Sequence, residues 1–592
     1  MLEKNIEIKI NEWLSDSYDQ STRAEIKKLV DDNNEKELVD RFYTDLEFGT
    51  GGIRGIIGAG TNRMNIYTVG KAAQGIANYV LKSDTSSRSK GIVIAYDSRN
   101  MSDVFSLRSA LIFAANGIKS YVFKRLQATP LLSFAIRHLN TIAGVVVTAS
   151  HNPPEYNGYK VYYSDGAQVL PPHDKGIIDE VRNIVSIKEI KEISEKEALD
   201  RGLLKYLDNE VNEAYYEKAL SLRINTNILD EMKDELKIVY TPLHGTGNIP
   251  VRECLKRWGF NKVFVVKKQE LPDANFSTVK YPNPEESEAL SLAIKDAKEN
   301  SCDLVLATDP DCDRVGIAVN NGKNEFILLN GNQVGVFLSH YIFKHYHKLN
   351  LLNKKSLVIK TIVSTDLIDP ISKEFDVQVE EVLTGFKYIA ERIHQYHDLE
   401  NHSKEFLLGF EESYGYLVGD FVRDKDAVIA SCFIAEIAAE CKKKGKTILD
   451  YLDEIYERYG YYIEGLESLT LKGLEGIEKI NGIMNAFRSN PPGDINSVKV
   501  VKIRDVKESK TIDLVSKKEE KLDFPKSNVL TYYLANGGKV TLRPSGTEPK
   551  IKFYFGFSIK DNKKNLQDVK MIGKQELDKL KESFMKLVKE KI

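Results

Sequence analysis

Short, wholly apolar runs separated by helix-length segments set the pattern over most of the chain. "GIVIAYDSRN", "GIKSYVFKR" and "IAGVVVTASHN" form one such set. The same order returns as "LKIVYTPLHGTG", "FNKVFVVKKQ" and "CDLVLATDPDCDR", and again as "SLVIKTIVST", "FDVQVEEVLTGFK" and "EFLLGFEESYG". Continuous β-branched runs alternating with helices predict mostly parallel sheets covered on both faces. After about residue 495 the runs become "VKVVKIRDV", "LTYYLANG", "KVTLRPSG" and "IKFYFGFS", closed by "ELDKLKESFMKLVKE". These predict short antiparallel strands and a covering helix. The expected fold class is therefore α/β: three successive mixed or mostly parallel α/β sheet domains plus a C-terminal α+β domain. The expected boundaries are 1–208, 209–323, 324–455 and 456–592. The run from "DAVIASCFIAEIAAE" to "YERYG" is expected to be helical and to join the last two units. In each α/β unit the third strand ends in a polar, glycine- or carboxylate-rich loop. Ligands of open α/β sheets bind beyond the carboxyl ends of strands, so these loops are expected to converge on one central cleft.

Composition narrows the class. The chain has 592 residues, 84 basic and 86 acidic side chains, and a formal net charge of −2. That balance argues against a global nucleic-acid surface while leaving room for a local basic pocket. Cysteines 254, 302, 312, 432 and 441 form no CxxC pair, as expected of reduced thiols rather than a disulfide framework. "MLEKNIEIKINEWLSD" is charged from residue 3 and has no apolar core of a signal peptide; Ile6, Ile10, Trp13 and Leu14 follow helical spacing instead. "AVIASCFIAEIAA" (427–439) is too short to span a bilayer and contains Glu436, so a buried helix is expected. A cytoplasmic protein with neither membrane nor nucleic-acid partners is the reading.

Five loops carry candidate chemistry. "VVVTASHNPP" (145–154) runs from a buried strand into Ser150 and His151. Taken alone, Ser150 is open to three readings: nucleophile, helix cap, or first polar residue after a strand. A base at i+1 points away across extended backbone, and G-x-S-x-G is absent, which disfavours a hydrolase triad. "ATDPDCDRVGIAV" places Asp309, Asp311 and Asp313 at i, i+2 and i+4, so alternation brings three carboxylates to one face. A hard divalent ion such as Mg²⁺ relieves their repulsion. An EF-hand would need Gly and Glu where Arg314 and Asn320 stand; a phosphatase with a strand-end Asp nucleophile and a solvated acidic loop remain alternatives. "FGTGGIRGIIGAG" (48–60) misses the dinucleotide fingerprint because Arg54 replaces its third glycine. An anion-binding loop with Arg54 as partner, or a flexible surface loop, fits it. "TLRPSGTEPKIKFY" (541–554) gathers Arg543, Ser545, Gly546, Thr547, Lys550 and Lys552, a phosphate grip without Walker architecture or else a basic turn. "GFEESYGY" offers Glu411, Glu412 and Ser413 to sugar hydroxyls or to a helix cap. Together the set describes phosphoryl transfer on a phosphorylated sugar, where positioning and charge neutralisation do most of the work.

Nearly the whole chain resembles the α-D-phosphohexomutase family. "TASHNPPEYNGYK", "DPDCDRVGIAV", "GFEESYGY" and "RPSGTEPKIKFY" stand in family order behind "FGTGGIRG". Phe410 between glycine and glutamate is closer to the phosphoglucomutase/phosphopentomutase branch than to bacterial phosphomannomutases. The resemblance implies that Ser150 is the phosphoserine that donates and recovers the phosphoryl group. It implies that one phosphate oxygen joins Asp309, Asp311 and Asp313 around a single Mg²⁺. Arg54, His151, Lys160 and Arg314 would surround the transferring group, with His151 or Lys160 as base. Glu411 and Ser413 would hold sugar hydroxyls; Arg543, Ser545, Gly546 and Thr547, with Lys550, would bind the distal phosphate. "TGFK" implicates Thr384, Gly385 and Lys387 in substrate contact, and "TPLHGTG" places His244 near the cleft.

The implied reaction interconverts glucose 1-phosphate and glucose 6-phosphate through glucose 1,6-bisphosphate, which serves as intermediate and activator. Hinge motion of the fourth domain would admit and reorient the ligand. Rival readings are a pentose or mannose phosphate mutase, a synthase of the bisphosphate, and an inactive sugar-phosphate sensor. The last is disfavoured by the joint presence of the serine, the three aspartates and the clamp arginine.

Overall fold

The computed structural model describes residues 3–47, 49, 51–471, 473–545, 550–560 and 564–591, with the side chains of 473–475 left aside. Packing gathers the chain into two compact units. The first comprises Met1–Leu329, Ala390–Asn401 and Gly415–Lys443; the second comprises Asn330–Ile389, His402–Tyr414 and Lys444–Ile592. Segments 390–401 and 415–443 pack with the first unit although the chain on either side of them belongs largely to the second.

The first unit holds two α/β sheets. In one, β1 (Gly52–Ile56), β2 (Ile92–Tyr96), β3 (Ser120–Phe123), β4 (Ala143–Val147), β5 (Tyr156–Tyr163) and β6 (Leu204–Leu207) take the order β1-β5-β4-β2-β3-β6. β2, β3, β4 and β6 pair in parallel, whereas β1 and β5 are antiparallel additions. β4 is buried along its whole length, as its apolar run demands. The glycine-rich stretch at 48–60 is not a loop throughout: it contains edge strand β1, whose Arg54 pairs in register with Gly158. Gly52 is required there, since a Cβ would stand 1.9 Å from the Tyr159 carbonyl oxygen.

The second sheet is β11-β10-β9-β7-β8, from β7 (Lys237–Thr241), β8 (Lys262–Val265), β9 (Leu304–Thr308), β10 (Val315–Asn320) and β11 (Phe326–Leu329). β7 to β9 are parallel; β10 turns back antiparallel on β9. Helix Ala427–Lys443 belongs here, with every side chain from Ala427 to Cys441 buried. Its Glu436 accepts hydrogen bonds from Trp258 Nε1 (2.8 Å) and the Asn225 amide (2.9 Å), which satisfy a carboxylate no water reaches. The expected single helical run is thus two helices, Ala427–Lys443 and Ile448–Tyr459, and the break between them passes the chain from one unit to the other. Three N-terminal helices close on a small core containing Ile6, Ile10, Trp13 and Phe42.

In the second unit β12 (Ser356–Thr361) pairs in parallel with both β13 (Gln378–Val382) and β14 (Glu405–Glu411). The C-terminal part is an antiparallel sheet in which Tyr461–Thr470, Lys550–Ile559, Lys539–Pro544, Leu530–Leu534 and Val498–Asp505 are successive neighbours. Helices Gly473–Ser489 and Leu566–Lys589 flank it, and Met484, Phe487, Phe553, Leu580 and Phe584 share the core. Fold class therefore follows the sequence pattern: three α/β sheets and an α+β C-terminal domain. Among the described residues no helix is long and apolar enough to cross a membrane, and all five cysteines are buried thiols outside any disulfide.

Candidate active site

The first unit brings the serine loop onto the aspartate loop. After buried β4 the chain turns sharply, and Ser150 takes a left-handed φ of 54°. Its Oγ donates to Asp309 Oδ2 at 2.8 Å and lies 3.2 Å from His151 Nδ1. The Thr148 amide donates to the Gly158 carbonyl at 3.0 Å, an approach only glycine allows, since a Cβ at 158 would lie 2.4 Å from the Thr148 oxygen.

Asp309, Asp311 and Asp313 follow β9 and each presents an oxygen within 4.8 Å of the others. All three are buried, at 0%, 0% and 1% exposure, which removes the reading as a solvated acidic loop. Among the described residues Asp311 Oδ1 and Asp313 Oδ1 are buried without a hydrogen-bond partner. An all-oxygen set with two such orphaned atoms fits a hard divalent cation. Burial, and then repulsion from Asp311 and Asp313, pushes the Asp309 carboxyl well above the ordinary carboxylate range. Burial opposes ionisation of Asp313 too, yet Lys160, Lys425 and Arg314 override it and hold that group well below the range.

Cations ring these carboxylates. Lys160, on β5, places Nζ 2.6 Å from Asp311 Oδ2 and 3.1 Å from Asp313 Oδ2. Lys425 Nζ lies 3.1 Å from Asp313 Oδ2. Arg314 donates to Glu285 at 2.8 Å, and exposed Arg54 donates to Asn152 Oδ1 at 3.2 Å. Desolvation and the guanidiniums of Arg314 and Arg54 hold His151 well below the usual imidazole range, so it is neutral. Desolvation would lower Lys160, but Asp311 and Asp313 raise it, so it is charged.

His244 has both ring nitrogens engaged, Nδ1 with the Leu271 carbonyl (3.0 Å) and Nε2 with Thr278 Oγ1 (2.8 Å). Its neighbours, not its ring, meet the aspartate loop. The Thr246 amide donates to the Pro310 carbonyl at 2.8 Å, and a Cβ on Gly245 would fall 2.4 Å from Pro310 Cα.

The second unit gathers the remaining candidates by itself. Glu411 ends β14 and accepts from the Gly385 amide at 2.9 Å, which ties the "GFEES" loop to the "TGFK" turn. Thr384 Oγ1 is buried and makes no hydrogen bond among the described residues, and Lys387 Nζ lies 5.4 Å from the Tyr388 ring centre. Ser413 is half-buried beyond Glu412, whose carboxyl is raised by burial and by Glu411. Arg543 stands opposite Lys552 on paired strands, and the Ser545 amide donates to the Lys550 carbonyl at 2.7 Å. Gly546 and Thr547 lie outside the described residues.

Sequence reasoning missed four side chains of the first unit. Lys425 joins the cations from "RDKDAV", a charged segment directly before a buried helix. Asp97, Arg99 and Thr148 support the serine loop. The signal for the first two was "YDSRN", two charges at the carboxyl end of a buried strand.

Known proteins resemble the chain over most of its length. Models of the alpha/beta/alpha domains I, II and III of the phosphoglucomutase/phosphomannomutase family match residues 45–188, 213–322 and 330–459. A phosphoglucomutase of Staphylococcus haemolyticus (strain JCSC1435) is 39% identical over 529 residues, 89% of this chain and 93% of that protein. A phosphoglucomutase of Staphylococcus aureus (strain MRSA252) is 39% identical over 536 residues, 90% of this chain and 94% of that one. The crystal structure of a phosphoglucomutase/phosphomannomutase family protein from Burkholderia thailandensis shares the fold with a TM-score of 0.64 at 16% identity, covering 92% of this chain and 97% of its own. Three domain models across the chain, and identity of this extent over nine-tenths of it, place the protein in the α-D-phosphohexomutase family, in its phosphoglucomutase branch, as a mutase of the isomerase class.

Proposed function

We propose that this enzyme interconverts glucose 1-phosphate and glucose 6-phosphate with Ser150 as a covalent phosphate carrier. The observation that carries the reading is the Ser150 Oγ–Asp309 Oδ2 contact of 2.8 Å, which sets the serine hydroxyl against a buried three-carboxylate loop. In the first transfer the bond from phosphorus to Ser150 Oγ breaks as one forms to the sugar 6-hydroxyl oxygen. The second transfer returns the 1-phosphate of the resulting glucose 1,6-bisphosphate to Ser150. A divalent cation, Mg²⁺ in this reading, would be held by Asp309, Asp311 and Asp313 and neutralises phosphoryl charge when bound.

The chain's own groups supply the rest. Arg54, Lys160 and Arg314 offset charge on the transferring group, and Lys425 joins them. Neutral His151 is in acceptor form for the proton of the attacking hydroxyl, whereas charged Lys160 is suited to electrostatic work. Glu411 and Ser413 hold sugar hydroxyls, Thr384, Gly385 and Lys387 orient the ring, and Arg543, Ser545, Gly546, Thr547 and Lys550 bind the distal phosphate. Five buried thiols outside any disulfide suit a reducing compartment, and we read the enzyme as cytoplasmic.

The test compares kcat/KM for glucose, mannose and ribose 1-phosphates, alongside mutase activity and intact mass of Ser150→Ala. A preference for glucose 1-phosphate with an inactive, unphosphorylated variant is expected. A large preference for ribose 1-phosphate would overturn the substrate, and wild-type turnover by Ser150→Ala would overturn the carrier.

A further inference from the structure

We propose that Asp97, Arg99 and Thr148 are positioning residues for phosphoryl transfer, fixing both peptide groups of Ser150 so that its Oγ stays aimed at Asp309. The inference rests on the reading of Ser150 as phosphate carrier.

The observations are geometric. Asp97 and Arg99 sit just past the end of β2, side by side with β4, and both side chains have no exposed surface. Below Ser150, its amide donates to Thr148 Oγ1 at 2.8 Å, and that hydroxyl donates to Asp97 Oδ2 at 2.6 Å. Asp97 Oδ1 accepts from the Arg99 amide (3.0 Å) and Ser102 Oγ (2.8 Å), so the carboxylate is fixed from three sides. Above, Arg99 donates through Nη2 to the carbonyls of Ser150 (2.6 Å) and Asn152, and through Nη1 to those of Pro153 (2.7 Å) and Tyr156 (3.0 Å). Its Nε lies 3.3 Å from Asp97 Oδ2, and its guanidinium carbon is 4.9 Å from the Phe276 ring centre.

One guanidinium thus takes up four carbonyls of the loop that carries the nucleophile. Its Nη1 and Nη2 donors face protein carbonyls, so its part is to set the loop's shape. The need for it is visible at Ser150, a residue with a Cβ held at φ 54°. A non-glycine residue in that region costs of order 1 kcal/mol and persists only where its surroundings over-determine it. The ion pair supplies that constraint from both ends of the residue. Phosphoryl transfer needs the donor oxygen in line with the acceptor, and a misplacement of about 1 Å costs about 10²-fold in rate. None of the three side chains is assigned a contact with the sugar phosphate, so the loss should fall on kcat.

The experiment measures kcat and KM for glucose 1-phosphate in Thr148→Val, Thr148→Ser and Arg99→Lys, with calorimetry to verify folding and intact mass to read phosphate on Ser150. Thr148→Val keeps the volume and loses the hydroxyl relay. It is expected to lower kcat about 10- to 100-fold with KM within about twofold. Thr148→Ser restores the relay and is expected to recover to within about threefold of wild type. Arg99→Lys, which replaces a planar fork by a point charge, is expected to follow Thr148→Val. A folded Thr148→Val with unchanged kcat overturns the inference, as does a loss that appears in KM, or a Thr148→Ser no better than Thr148→Val. The Thr148 pair decides the matter even where Arg99→Lys fails to fold. If wild type carries phosphate on Ser150 while Thr148→Val is fully active, this inference alone falls. If Ser150 of the wild type never carries phosphate during turnover, the carrier reading falls and takes this inference with it.

Discussion

Ser150 and Asp309 stand 159 positions apart in sequence and 2.8 Å apart in space, hydroxyl to carboxylate. They come from two different sheets of one compact unit, each at the carboxyl end of a buried strand. That shared placement explains how the serine hydroxyl and the three-carboxylate loop meet without either being near the other in the chain.

The crowding of Asp309 by Asp311 and Asp313 makes the cation-free protein sensitive to pH. The raised pKa of Asp309 gives a contribution to stability that is present at low pH and lost as pH rises through the raised value. Chelated Asp309→Asn, which carries no charge, should therefore melt above chelated wild type at pH 8, by on the order of 1–3 kcal/mol. The difference should shrink towards pH 4. Calorimetry in chelator at both pH values checks this, and chelation should also abolish turnover of the wild type.

Gly245 is a packing requirement for the aspartate loop. A Cβ there would fall 2.4 Å from Pro310 Cα and 2.5 Å from its carbonyl oxygen, both backbone atoms that cannot swing aside. Gly245→Ala is expected to cost about 1–3 kcal/mol and to raise the cation concentration needed for half-maximal rate. Thermal melts and a metal titration of activity measure the two effects. His244→Gln, which leaves that approach intact, should change the metal requirement far less.

In the second unit, burial and nearby Lys344 lower buried His340 to about 4. The folded state therefore prefers the neutral ring, whose Nδ1 lies 2.6 Å from the Tyr451 hydroxyl. Below about pH 6.5 the unfolded chain binds a proton that the folded one refuses, so stability falls as pH drops towards 4. By linkage this group costs about 2 kcal/mol at pH 5 relative to pH 7. Denaturant unfolding of wild type and His340→Gln at both values should show the variant losing that much less.

Glu411 both orders the "TGFK" turn and, in the proposed function, accepts from a sugar hydroxyl. Glu411→Gln keeps an acceptor for the Gly385 amide but loses the charge. The expected result is a folded enzyme whose kcat/KM for glucose 1-phosphate falls about 10- to 100-fold, the worth of one charged hydrogen bond. Steady-state kinetics beside a thermal melt read it.

Much of this site was legible because its chemistry is written in short, contiguous strings. Strict alternation in "DPDCD" announced converging carboxylates, and the apolar run before Ser150 announced a strand end. What stayed hidden depends on contacts across the chain. Arg99 is an ordinary strand-end arginine until four carbonyls 51 to 57 positions later are seen around it. Lys425 gains meaning only beside Asp313. The glycine stretch around Arg54 looked like a loop because glycine is rare in strands, yet its close pairing with β5 is what requires Gly52. Helix Ala427–Lys443 is apolar enough to be recognised as buried, but its partners, Trp258 and Asn225, could not be read from periodicity.

The central claim is that Ser150 carries the phosphoryl group. The most direct measurement is a rapid-quench experiment with enzyme labelled by ³²P on Ser150 and mixed with unlabelled glucose 1-phosphate. Label leaving Ser150 for the sugar bisphosphate, no slower than turnover, is the predicted result. Label that remains on the protein while glucose 6-phosphate accumulates would contradict it.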